Sequence, residues 1–209
     1  MRQRNVKNKK DIINNSSYVI LKPNEYKGSW NKVFKNNNPI YLEIGMGKGD
    51  FITENAKRYP NINFIGIEKY DSIMALAIKK MPEGLSNLKL IRMDALNIND
   101  VFDKEISLIY LNFSDPWPKP RHEKRRLTSS HFLDLFNGIF NNKKEIVMKT
   151  DNRGLFEFSL ISFVNNGYLI KDISLDLHSD NRENNIETEY ERKFLLKNNV
   201  IYYVNVEKK

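Results

Sequence analysis

The sequence predicts an open α/β sheet, and three observations carry that prediction. From residue 40 onward, short apolar runs alternate with stretches whose apolar residues recur at helical spacing. The first run passes directly into three glycines at alternate positions, Gly45, Gly47 and Gly49. A carboxylate stands at or just beyond the tip of each of four successive runs: Glu43, Glu68, Asp94 and Asp115. In open α/β sheets ligands sit outside the carboxyl ends of the strands, so a row of acids there describes a crevice suited to a cation.

Composition bounds the class. A chain of 209 residues, 40% hydrophobic and 11% aromatic, can fill the core of one α/β domain. We expect a single domain over residues 18–209, preceded by a basic, mobile arm over residues 1–17 that shows no periodicity. There is no cysteine, which excludes disulfides and Cys-ligated zinc or iron–sulfur centres. No run approaches the roughly 18 apolar residues of a membrane span, and the N-terminus lacks the apolar segment of a signal peptide, so a cytoplasmic protein is expected. A net charge of +8 favours an anionic macromolecular partner, most often nucleic acid.

Element by element, Tyr18–Leu21 and Tyr26–Phe34 form an apolar lead-in able to cover one edge of the core. Ile40–Ile44 is the first strand, and Phe51–Tyr59 after the glycines is a helix. The glycine spacing is G-x-G-x-G and differs from the G-x-G-x-x-G of dinucleotide sites. Glu43 just before the turn would repel a pyrophosphate and suits a positively charged ligand. Ile62–Glu68 is a second strand, and its terminal acid is placed to hold ribose hydroxyls. Asp71–Lys80 follows as a helix whose Met74, Leu76 and Ile78 belong to the core. Leu88–Met93 is a third strand, ending at Asp94. Ile106–Leu111 is a fourth, ending at Asn112.

The loop after the fourth strand organises the rest. Prolines at 116, 118 and 120 forbid both a continuing ladder and an immediate helix, and push Asp115, Trp117 and Lys119 towards extended backbone. The result is a stiff loop carrying one carboxylate and one indole, followed by the cations Lys119, Arg121, Lys124, Arg125 and Arg126. Trp117 can stack on a substrate or pack its own loop. Beyond it, Leu127–Phe140 has the pattern of a helix, Glu145–Lys149 of a fifth strand, Leu155–Phe163 of a helix and Tyr168–Leu177 of a sixth strand. Thr188-x-x-Glu191 has the form of a capping box opening a short helix through Leu196, and Val200–Val206 is a last strand. Thr188, Glu191 and Asp151 can each serve as helix caps or as substrate contacts. The three histidines have no metal-site spacing, so no metal is expected. Lys48-Gly49-Asp50 lacks the hydroxyl that a P-loop needs.

Four segments together resemble the bacterial tRNA (guanine-N7-)-methyltransferase family, TrmB. They are Glu43–Gly49, Asn112–Lys119 with Arg121–Arg126, Lys149–Gly154 and Thr188–Phe194. The resemblance implies a Rossmann-like class I methyltransferase: a seven-stranded, mostly parallel sheet with an antiparallel last strand and helices on both faces. It implies S-adenosylmethionine as methyl donor, tRNA as partner, and N7 of a variable-loop guanosine, position 46, as acceptor. By the same resemblance Glu43, Gly45, Gly47, Glu68, Asp94 and Asp115 bind the donor, and Asp115 is also catalytic. Lys119, Asp151, Thr188, Glu189, Tyr190 and Glu191 match substrate-binding positions, while Arg121, His122, Glu123, Lys124, Arg125 and Arg126 match the RNA-contacting segment. Two features depart from the family: Pro120 replaces a basic residue, and the N-terminal arm is unlike the usual one. Two other classes stand against this reading, a nucleotide-dependent oxidoreductase and a non-catalytic RNA-binding protein on the same fold. The glycine spacing and Glu43 oppose the first, and acids at all four strand tips oppose the second.

Overall fold

The computed structural model describes residues 6–180, 182, 185–188, 190–192 and 199–209. Seven strands form one sheet: β1 (Ile40–Ile44), β2 (Asn63–Glu68), β3 (Leu88–Arg92), β4 (Ile106–Asn112), β5 (Phe140–Thr150), β6 (Leu169–Ser174) and β7 (Tyr202–Lys208). Their order is β3-β2-β1-β4-β5-β7-β6. The first five are parallel, and β7 runs antiparallel between β5 and β6. The order reverses direction between β1 and β4, which opens a crevice at their carboxyl ends.

Alternation along the strands divides the core between two faces. Leu42, Ile44, Ile65, Ile67, Ile109 and Leu111 point to one face. There they meet α2 (Trp30–Phe34), α5 (Ser130–Ile139) and α6 (Arg153–Asn165). Phe64, Leu88 and Leu90 point to the other, against α1 (Lys9–Asn14), α3 (Asp50–Arg58) and α4 (Asp71–Ile78). Met74 is fully buried, whereas Leu76 and Ile78 lie half-buried at the margin.

Several expected boundaries move. Residues 9–14, within the stretch read as a basic arm without periodicity, are helical. Ile13 is buried against α4, and Lys9 Nζ lies 3.5 Å from Ser72 Oγ. One buried isoleucine is too short a signal to register as periodicity. The apolar lead-in serves both faces: Tyr18 and Ile20 hydrogen-bond to Leu90 along the β3 edge. Trp30 is buried on the opposite face and donates Nε1–H to the Val101 carbonyl at 3.0 Å. The helix expected over Leu127–Phe140 begins only at Ser130, and Phe140 instead opens β5 opposite Ile106. Gly138 and the pair Asn141-Asn142 are poor helix formers, so the chain leaves the helix where a strand pairing can bury Phe140. The sixth strand is shorter than expected and the last begins at Tyr202. The proposed helix through Leu196 falls mostly outside the described residues, of which 190–192 are helical.

The proline loop also differs. Pro120–Arg125 forms a 3-10 helix with Pro120 in its first turn, where the missing N–H costs nothing. Trp117, expected to be extended before Pro118, has φ +40°, and Phe113 has φ +50°. Such left-handed backbone at non-glycine residues costs about 1–3 kcal/mol each and persists only where surrounding contacts enforce it.

Candidate active site

β1 ends in the turn Gly45-Met46-Gly47-Lys48-Gly49. Gly45 and Gly47 have φ of +77° and +58°, so the backbone itself requires glycine. A Cβ at either would meet nothing within 4 Å, which leaves open space beside the turn. Glu68 fastens this turn to β2: one carboxylate oxygen accepts from Gly47 N at 3.1 Å and the other from Tyr70 N at 2.9 Å. Burial raises its pKa, the backbone donors pull it back, and the nearby charge of Asp115 pushes it up again. A carboxylate offers about four acceptor sites, so Glu68 retains capacity for a ligand hydroxyl.

Glu43 is 2% exposed at the tip of β1. Its Oε1 accepts from Asn112 Nδ2 at 2.9 Å, joining the tips of β1 and β4. Glu43 Oε2 and Asn112 Oδ1 are both buried without a hydrogen-bond partner. Leaving a buried acceptor unpaired costs about 1–3 kcal/mol. Burial drives the Glu43 pKa up to about 8, against the lowering influences of Asn112 and Lys149. Both residues line the cleft formed with the glycine turn, Phe51, Phe113, Thr188 and Tyr190. At β3, Asp94 caps the following 3-10 helix through Leu96 N at 3.1 Å and accepts from Lys69 Nζ at 2.6 Å. Burial raises its pKa, but these two hydrogen bonds outweigh it and leave the group below the usual range.

The same cleft is lined by aromatic side chains. The Phe113 and Tyr190 rings lie 4.9 Å apart at a 45° tilt, and Tyr190 hydrogen-bonds to Asp151 while staying exposed. Below them, Lys149 of β5 donates to Glu191 Oε2 at 3.1 Å and to the Ile186 carbonyl at 3.0 Å. The capping box is realised: Glu191 N donates to Thr188 Oγ1 at 2.9 Å, and Thr188 N to Glu191 Oε2 at 3.2 Å. Thr188 lines the cleft, whereas Glu191 is fully buried and is not among the lining residues. Burial lowers the Lys149 pKa, and Glu191 opposes that fall. Glu189 lies outside the described residues.

Asp115 is exposed at the rim, where its charge is felt by Glu68. Lys119, Arg121, Glu123, Lys124 and Arg125 are exposed, and His122 is half-buried. The indole of Trp117 is engaged within its own loop. The Arg125 guanidinium lies 4.9 Å from its ring centre and His122 meets it edge-on at 5.6 Å. Trp117 packs within its own loop, and Phe51, Phe113 and Tyr190 supply aromatic surface in the cleft. Arg126 is turned inward, away from the row of exposed cations. Its Nε and Nη2 donate to the carbonyls of Pro116 and Trp117, both at 3.1 Å.

Asn112, Phe113 and Lys149 stand in segments that carried the family resemblance, but the sequence reading assigned none of them a role in the site. Asn112 carries a signal in retrospect, as an amide ending an apolar strand beside the tip where Glu43 ends another. Lys149 likewise ends a buried strand. Among the described residues no group of three or more His, Cys, Asp or Glu could hold a metal ion, and no helix is long and apolar enough to cross a membrane.

Comparison with known proteins finds relatives along nearly the whole chain. Residues 37–204 match a family described as "Putative methyltransferase". The chain is 50% identical over 210 residues to a tRNA (guanine-N(7)-)-methyltransferase of Streptococcus suis, covering 99% of each protein. It is 49% identical over 205 residues to one of Oceanobacillus iheyensis, covering 97% of this chain and 96% of the relative. With that of Bacillus subtilis it shares 50% over 198 residues, covering 94% and 93%. Among solved structures, an antibiotic-related methyltransferase superposes with a TM-score of 0.65 at 16% identity, covering 86% of this chain and 92% of the other. The 16S rRNA methyltransferase KamB gives 0.65 at 12%, covering 87% and 93%. At these identities the likeness is one of fold.

Proposed function

Because the chain belongs to the tRNA (guanine-N(7)-)-methyltransferase family, we propose that it transfers a methyl group from S-adenosylmethionine to N7 of a guanosine in tRNA, at position 46 of the variable loop. One observation from the structure carries the reading furthest. Glu43 Oε2 and Asn112 Oδ1 are two buried acceptors without partners, side by side in a cleft that opens on a glycine turn. That arrangement suits a ligand with a cationic N–H donor group and repels an anionic one such as pyrophosphate.

When bound, S-adenosylmethionine supplies a methyl group on a positively charged sulfonium. In this reading Glu43 and Asn112 receive the donor's ammonium, Glu68 a ribose hydroxyl and Asp94 the adenine amino group. Gly45 and Gly47 keep the wall free of side chains. Phe113 and Tyr190 offer a face for a splayed-out purine, since N7 is inaccessible in the deep, narrow groove of an RNA duplex. Asp151 fixes Tyr190 through its hydroxyl. Guanine N7 has a lone pair and no proton to lose, so no side chain need act as a base. What the residues supply is alignment, worth roughly 7–11 kcal/mol in favourable cases. Asp115 adds a fixed negative charge beside a ring that becomes cationic. Lys119, Arg121, Lys124 and Arg125 extend the site as a strip of exposed cations for RNA phosphate.

The test is incubation with labelled S-adenosylmethionine and bulk tRNA, followed by mapping of 7-methylguanosine. Label at a single variable-loop guanosine is expected, and label elsewhere or none would overturn the reading. Asp115→Asn, run alongside, should retain the wild-type melting temperature because the side chain is exposed. Turnover should fall by roughly 10²–10³, the scale of losing one preorganised electrostatic partner. A lowered melting temperature with unchanged turnover would make Asp115 a turn residue only.

A further inference from the structure

The basic run after the proline loop contains one member that does not behave as a surface cation. Arg126 is half-buried, and its guanidinium carbon sits 4.3 Å from the centre of the Phe158 ring on α6. From there Nε reaches the Pro116 carbonyl and Nη2 the Trp117 carbonyl, each at 3.1 Å. Two donors of the rigid guanidinium fork thus hold two adjacent acceptors, a geometry that a lysine ammonium does not offer. The base on which Arg126 stands is itself fixed to α6. Thr128 Oγ1 and Ser159 Oγ are 2.7 Å apart, and Ser162 Oγ donates to the Thr128 carbonyl at 2.6 Å. Arg126 therefore connects an anchored segment to the two residues that follow Asp115.

Those residues need holding. Trp117 is left-handed immediately before a proline, a conformation disfavoured both by its Cβ and by the following ring. Among the described residues, Arg126 is the side chain that bonds to both carbonyls flanking this strained position. Arg125, one residue earlier, is exposed and lies over the indole ring.

We propose that Arg126 is a positioning residue for methyl transfer. Seated on Phe158, it holds the Pro116 and Trp117 carbonyls and so sets Asp115 at the cleft rim, while RNA phosphate is met by its exposed neighbours. This rests on the functional reading above, and it divides a continuous basic run into two jobs.

The experiment compares Arg125→Ala, Arg126→Ala and Arg126→Lys in tRNA binding across a salt series, in turnover at saturating donor and tRNA, and in acrylamide quenching. The chain has two tryptophans, and Trp30 is fully buried, so quenching reports on Trp117. Arg125→Ala should lower the salt slope by about one unit. Arg126→Ala should keep the wild-type slope, make Trp117 more quenchable, and lower kcat by roughly tenfold to a hundredfold, as a small misplacement near the chemistry does. Arg126→Lys keeps the charge but not the fork, and should recover only part of kcat. The proposal is overturned if Arg126→Ala lowers the slope as Arg125→Ala does while kcat and quenching stay at wild type. It is equally overturned if the variant only melts earlier, or if Arg126→Lys restores full turnover. Failure of the functional reading looks different: the wild-type protein would form no 7-methylguanosine, while the quenching comparison would still test the clamp.

Discussion

At the scale of the residue, Glu43 makes the most specific demand. Its folded pKa of about 8 stands above the ordinary 4.5, so near neutral pH the buried carboxyl holds a proton until a cation arrives. Binding a cationic donor favours the carboxylate and must release that proton. Donor affinity should therefore rise with pH, by at most about tenfold per unit, and level off above about 8. The sign for stability is opposite. Between pH 4.5 and 8 the folded state binds more protons at this site than the unfolded chain, so its contribution to stability falls as pH rises. Calorimetry in buffers of different ionisation enthalpy measures the released proton, and Glu43→Gln should abolish the release. Equal release in wild type and variant would remove Glu43 from the donor site. The acids themselves were legible in the sequence because each stands at or just beyond the tip of an apolar run. Asn112 was not, because an amide at a strand end is common and only its missing partner, visible in three dimensions, marks it.

At the scale of the element, the turn at Thr188–Glu191 shows how a correct motif can conceal its main load. The sequence displays the capping box, and the structure contains it. Nothing in the spacing reveals that Glu191 also pairs with Lys149, 42 positions earlier, inside the protein. Losing one member of such a pair leaves a buried charge without compensation, at a cost of about 3–5 kcal/mol. Lys149→Met should lower stability by that order in urea titration. Adding Glu191→Leu should recover most of it, since an apolar pair of similar size fills the space without desolvating charge. Failure of the second substitution to recover stability would mean that the network is valued for its hydrogen bonds and not for charge balance. The proline loop teaches the same lesson from the other side. Local rules for residues before proline gave Lys119 its extended conformation, but at Trp117 the tertiary contacts with Arg125, Arg126 and His122 prevailed.

At the scale of the whole molecule, hydropathy alternation was enough to foresee the parallel strands, because strands buried on both faces form apolar runs whatever their partners. The antiparallel placement of β7 came from the family resemblance, since nothing in the sequence of Tyr202–Lys208 states its neighbours. Helix ends were the least legible feature. At Phe140 a helix and a strand offered similar local patterns, and the pairing with Ile106 decided between them.

The position of β7 has a consequence for how the protein comes into being. β6 is made before β7, yet β7 lies between it and the rest of the sheet. While the chain is growing, β6 has no strand to pair with, and Leu169, Ile170 and Ile173 stand at an unfinished edge. A chain cut ahead of Tyr202 should accordingly form β1 to β5 but leave β6 open to hydrogen exchange. Native-like protection of β6 in that fragment would show that α6 alone can hold it. Otherwise β6 joins the sheet only once β7 has been made and has paired with β5 on one side and β6 on the other.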